Sequence, residues 1–130
     1  MNKITPEDVA KSGSERGHGI ALMIWAHDNL NKYPELKWLT HIPNGGLRDK
    51  ITAANLKAQG VKRGVPDYLL LVQRGNYASL WIELKKFNGI TSDEQLEWIA
   101  QANEVGHCAR LCEGWREARD KIIWYLELED

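Results

Sequence analysis

Hydrophobic positions along this chain recur with two different periods, and the changes from one to the other mark out its elements. From Ser14 to Leu30, Ile20, Met23, Ile24 and His27 share one side of a 3.6-residue repeat, and Leu22, Trp25 and Ala26 widen the apolar stripe, which predicts a largely packed first helix. Residues up to about Ser12 are polar and read as a loose leader, leaving 13–130 as a single domain. Pro34 breaks the helical pattern, and Lys37 to Ile42 (KWLTHI) reads as a short strand closed by the turn signal Pro43, Asn44, Gly45, Gly46. A helix is expected from Leu47 to Gln59, ended by Gly60 in the position a helix C-cap prefers. Tyr68 to Gln73 and Ala78 to Lys86 form an expected antiparallel hairpin turned through Arg74, Gly75 and Asn76. Ser92 opens a second long helix, with Gln95 completing an S-x-x-Q capping box, and Gly106 follows its end near Val105. A strand from His107 to Leu111 and a helix from Trp115 to Leu126 complete the order α, β, α, β, β, α, β, α, without an internal repeat.

A chain of 130 residues is the size of one domain with one core, and therefore of one site. Its composition, 43% hydrophobic and 27% charged, excludes extended disorder as the main story. The N-terminus has no apolar run behind its first lysine, and the most apolar helical stretch, Ile20 to Ala26, is far too short to span a bilayer. The chain therefore reads as cytoplasmic. Cys108 and Cys112 fall on the strand near the C-terminal end and the turn after it, in a neighbourhood poor in further metal ligands, which favours a reduced pair over a disulfide or zinc site. The net charge of −1 gives no support to nucleic-acid binding, but its distribution is uneven. Arg48, Lys50, Lys57, Lys62 and Arg63 face only Asp49 over their stretch, while acidic residues gather at the C-terminus, in LELED. A solvated helix face accounts for part of that basic run.

The stretch GVPDYLLLVQRGNYASLWIELKK, Gly64 to Lys86, places ionised groups where a core would want none. Strand side chains alternate faces, so Trp81, Glu83 and Lys85 point one way and Leu80, Ile82 and Leu84 the other. Asp67, opening the partner strand behind Pro66, comes within reach of Glu83. Two adjacent carboxylates repel unless a cation lies between them, and a hard divalent ion such as Mg²⁺ suits one or two carboxylates, waters and phosphate oxygens. A lysine beside such a site can orient or deprotonate a water, or stabilise charge developing on phosphorus-bound oxygens. This is equipment for hydrolysing a phosphodiester. An isolated E-x-K would equally be a cross-strand surface ion pair.

With these residues in place the chain resembles the PD-(D/E)XK nucleases, and within them the VRR-NUC group. Pro66-Asp67 followed by Glu83-Leu84-Lys85 gives the superfamily motif, and VKRGVPD, Val61 to Asp67, is similar to the V-R-R-G-x-P-D stretch of the group, with Lys62 in place of an arginine. PNGGLR from Pro43 to Arg48, the loop Gly89 to Ser92, and Gln95 with Trp98 agree in order and spacing. The resemblance implies a restriction-endonuclease-like α/β fold, a mixed central sheet flanked by helices, and Mg²⁺- or Mn²⁺-dependent cleavage of DNA.

It further implies that Asp67, Glu83 and the backbone carbonyl of Leu84 ligate the metal and that Lys85 is the catalytic lysine. Gln95 would hydrogen-bond near the metal or the attacked phosphate, with a purely capping role as the alternative. Glu15 would reach the metal through water, although a glutamate in a first helical turn also favours the helix dipole. Asn44, Arg48, Lys62 and Arg63 are the expected phosphate contacts. His18, His27, His41 and His107 lack ligand-set spacing and are read as structural or surface residues. A stand-alone copy this small is of the kind bacteriophages carry, which would place it in the host cytoplasm. The expected activity is a structure-selective endonuclease on branched DNA such as a four-way junction, working as a homodimer whose interface draws on Trp25, Trp38, Trp115 and Trp124. The alternatives are a flap-type nuclease and a non-cleaving DNA-binding or assembly module.

Overall fold

In the computed structural model, which describes residues 3–43 and 49–129, four strands form one mixed sheet in the order β1-β2-β3-β4. β1 (Leu39–His41) and β3 (Leu80–Lys85) each pair antiparallel with β2 (Tyr68–Leu70), and β4 (Cys108–Glu113) pairs parallel with β3. A parallel pair needs a crossover, and α4 (Asp93–Glu104) supplies it. The even-numbered residues of β3, Leu80, Ile82 and Leu84, face the core together with Cys108 and Cys112 of β4. Against them pack α2 (Glu15–Asp28) and α5 (Trp115–Leu126), through Ala21, Leu22, Trp25 and Ala26 of the first and Ala118, Ile122 and Tyr125 of the second. Both cysteines are free and buried, and burial raises the Cys112 thiol to about 12, in keeping with a reduced, inert pair.

The buried face of α2 is not the one its strongest apolar periodicity suggests. Ile20 and His27 are exposed and Met23 and Ile24 only half-buried, Met23 packing on the edge of the core, whereas His18, Ala21, Leu22, Trp25 and Ala26 are buried. Two apolar faces compete on this helix, and its small residues win the contact because they let the backbone approach the sheet. At Gly19 any side chain would collide with the Tyr68 hydroxyl. His18, next to it, ties the same end of the helix to α5, where its Nδ1 accepts the Trp115 backbone N–H at 3.1 Å.

The polar leader is not loose throughout. Thr5 and Asp8 form a capping box around α1 (Pro6–Ala10), whose Val9 and Ala10 pack on the core. The first expected strand splits, because Pro34 opens a 3₁₀ turn over Pro34–Trp38 and leaves Leu39–His41 to pair. β2 is shorter than its apolar run, since the Val72 carbonyl turns to accept the Tyr125 hydroxyl at 2.6 Å. The third helix is α3 (Lys50–Ala58), N-capped by Asp49, and Gly60 follows it at φ +100°. The turn of the hairpin closes through an Arg74–Tyr77 bridge. α4 begins at the expected Ser92 cap with both arms of the box in place, yet none of its residues is buried. Trp25 and Trp115 belong to the core, which leaves Trp38 and Trp124 as the exposed pair of the four tryptophans assigned to an interface. Among the described residues no helix is long and apolar enough to cross a membrane.

Candidate active site

Asp67 stands one residue before β2. The register Tyr68↔Ile82 continues to an Asp67↔Glu83 pairing, which brings the two carboxylates to one face of the sheet. Pro66 is buried and cannot donate to the ladder, and the Leu84 N–H that would otherwise face it is taken by Asp67 Oδ2 at 2.9 Å. Because the N–H and C=O of a strand residue point to the same side, the Leu84 carbonyl lies toward Asp67 as well. Glu83 is only 1% exposed. Its Oε2 accepts the Gln95 amide at 2.9 Å and lies 3.5 Å from the Lys85 ammonium, while its Oε1 is buried with no hydrogen-bond partner. Glu15, in the first turn of α2, comes within 4.0 Å of Lys85.

Gln95 serves the cap and the carboxylate cluster at once. Its Oε1 accepts the Ser92 backbone N–H at 2.8 Å, closing the cap, and its Nε2 donates to Glu83. The cap therefore fixes the amide that points at the site. Lys62 and Arg63 are exposed on the loop leading to Pro66. That loop presses on the start of α4: Gly64 adopts φ +90°, and a Cβ there would overlap the Glu94 backbone, so only glycine fits. Both cations thus flank the helix end that carries Gln95. Asn44 and Arg48 lie outside the described residues.

One residue beside the site carried no sequence signal of its own. His41 is paired with Tyr68 across β1 and β2, its ring centroid is 5.0 Å from that of Tyr68, and its Nδ1 meets the Asp67 carbonyl at 3.0 Å. The spacing among histidines, which is what sequence exposes, is irrelevant here. A register fixing KWLTHI opposite PDYLL would have shown the contact.

Carboxylate oxygens of Glu15, Asp67 and Glu83 all lie within 4.8 Å of one another. Burial, and then the neighbouring Asp67 charge, raise Glu83 to about 8, with Lys85 opposing. Asp67 is also raised by burial, against the lowering effect of the Leu84 N–H. The pair thus holds protons where ordinary carboxyls would not. A hard divalent cation fits this donor set, which is all oxygen, mutually repelling when ionised, and includes one buried oxygen without a partner.

The metal-free protein should accordingly lose stability as pH rises from about 5 to above 8. Glu83 has a folded-state pKa above its unfolded value, so across that interval the folded state binds more protons than the unfolded one, and raising pH favours unfolding. Thermal melts in chelator at pH 5.5 and 8.5 check this against Glu83→Gln, which should show the weaker pH dependence. An equal slope in the two proteins would remove Glu83 as its source.

The model of the VRR-NUC domain family matches residues 9–115. A solved structure described as a VRR_NUC domain protein is 28% identical, over 100% of this chain and 94% of that one, with a TM-score of 0.72. No curated protein matches the sequence. The mixed four-stranded sheet flanked by helices, shared with that structure, is of the restriction-endonuclease-like kind. With its fold, its matched length and its motif residues in agreement, the chain belongs to the VRR-NUC family and is a nuclease-type domain, which implies DNA as its substrate.

Proposed function

We propose that this protein is a Mg²⁺- or Mn²⁺-dependent endonuclease that cuts branched DNA, such as a four-way junction, as a homodimer. The observation that carries the reading is the meeting of Glu15, Asp67 and Glu83, from three separate elements, beside the ammonium of Lys85. Asp67, Glu83 and the Leu84 carbonyl would hold the ion directly, with Glu15 acting through a water. When bound, such an ion neutralises phosphate oxygens and eases deprotonation of water.

The chain's own groups do the rest. Hydrolysis forms a bond between a water oxygen and phosphorus and breaks one ester P–O bond, the water's proton passing to a base and the departing sugar oxygen taking a proton from solvent. Lys85, held between Glu83 and Glu15, is positioned to orient that water or to stabilise charge growing on the non-bridging oxygens. Gln95 keeps Glu83 facing the site through its amide. Lys62 and Arg63, with Asn44 and Arg48, supply phosphate contacts that position the backbone without reading sequence.

A single site cuts a single strand, and a four-way junction is itself roughly two-fold symmetric, so two copies about a dyad would meet opposing strands together. Of the four tryptophans assigned to an interface, the exposed Trp38 and Trp124 are the two left over from the core. Labelled duplex, flap and four-way substrates incubated with Mg²⁺ or Mn²⁺, combined with sedimentation, test the reading. Paired nicks at matching positions on opposing strands of the four-way substrate, and a mass near twice 14.9 kDa, are expected. A monomer leaving unpaired nicks on flaps would make the protein a flap nuclease, and binding without cleavage would make it an assembly module.

A further inference from the structure

Beside the carboxylate cluster runs a groove of about 980 Å³ whose walls are mostly apolar. It shares Asp67, Glu15 and Leu84 with the candidate active site, so the two are continuous. Ile20, Met23 and Ile24 of α2 line the groove, together with Ile4 of the N-terminal segment. Ile20 is 44% exposed and Ile4 63%, although α2 already satisfies the core with its other face. Apolar side chains concentrated in a concavity that opens onto reactive groups are the usual construction of a ligand subsite. Arg16, His27 and His41 add hydrogen-bonding groups to the same lining.

We propose that this groove receives the nucleobase flanking the scissile phosphate, in an unstacked conformation. The proposal rests on the nuclease reading above. The occupant must be attached to the phosphodiester, because the groove begins at the residues that would face that phosphodiester. Of the three parts of a nucleotide, the base has by far the largest flat apolar face to set against Ile20 and Ile24. A base in an intact duplex is stacked and paired and cannot enter, whereas removing it costs least where pairing is already lost, as at a branch or a mismatch. The groove is therefore a source of preference for branched over continuous DNA that requires no contact with base edges. It also accounts for the apolar face of α2 that the core leaves uncovered.

The test places 2-aminopurine, and separately an abasic residue, on either side of each phosphate at the branch point of a four-way substrate. On binding in Ca²⁺, 2-aminopurine at the captured position should change its fluorescence as its neighbours stop stacking on it. Ile20→Ser and Ile24→Ser, neither of which packs against the core, should abolish that change while circular dichroism shows the fold retained. In Mg²⁺ or Mn²⁺, the abasic substrate should be cut roughly tenfold more slowly than the base-containing one by the wild type, and the two variants should cut both substrates at about equal rates. Equal cleavage of base-containing and abasic substrates by an active wild type, with fluorescence unmoved, overturns the groove assignment alone. Normal fluorescence changes without cleavage in any metal would retain the groove and overturn the nuclease reading. Failure to bind any DNA would overturn both.

Discussion

Asp67→Asn and Glu83→Gln are each expected to lower cleavage at least about a thousandfold while leaving the protein folded. Both replacements keep the shape of the side chain. The first would retain an amide oxygen able to accept the Leu84 N–H that the Asp67 carboxylate now accepts, and the second would keep an oxygen for Gln95. Each removes an ionisable group from a cluster in which burial already holds both carboxyls above their ordinary range. The metal-free protein should therefore melt at the same or a higher temperature, while calorimetric titration with Mn²⁺ shows weakened binding. Several kcal/mol of transition-state stabilisation is the ordinary scale for an ion acting on a phosphoryl group, and that sets the thousandfold floor. Unchanged rates in both variants would show that the three converging carboxylates are not the centre of the reaction.

Lys85→Ala should separate chemistry from binding. The ammonium is nearly buried and lies 3.5 Å from Glu83 Oε2, on the face of the strand that the carboxylates share. If it works on the water or on developing charge, its loss should reduce the single-turnover rate about 10²- to 10⁴-fold. Mn²⁺ affinity should be held or raised, because a positive charge has left the cluster, and DNA affinity measured in Ca²⁺ should be little altered. A drop in DNA affinity large enough to account for the whole rate defect would reduce Lys85 to a phosphate contact.

The parts of the site built by period two were legible in the sequence, because alternation along Leu80 to Lys85 decides which side chains share a face without reference to anything distant. Gln95 was legible for a related reason: a capping box is local, and the S-x-x-Q spacing alone fixes where the amide begins. The groove wall was not. On α2 the periodicity shows two apolar faces, and which one meets the sheet depends on how closely Gly19 allows Tyr68 to approach, a contact between residues far apart in the chain. His41 was hidden for the same reason, since its place beside Asp67 follows from strand register rather than from spacing. The helix at Pro6–Ala10 had a visible signal, Thr5 three residues before Asp8, but its polar composition outweighed it.

Parallel pairing makes α4 topologically indispensable, yet the helix is energetically light. Without a buried residue, it is held by its cap, by Gln95 on Glu83, and by Asn103, whose amide bonds both backbone groups of Ala109. Elements with so little burial detach well below the cost of global unfolding, on the microsecond-to-second scale of local opening. Each such excursion would take from Glu83 its neutral donor and from the Lys62–Arg63 loop its backing at Glu94. The affinity that the carboxylates would have for a cation and the posture of Lys62 and Arg63 are thereby tied to the breathing of one surface helix.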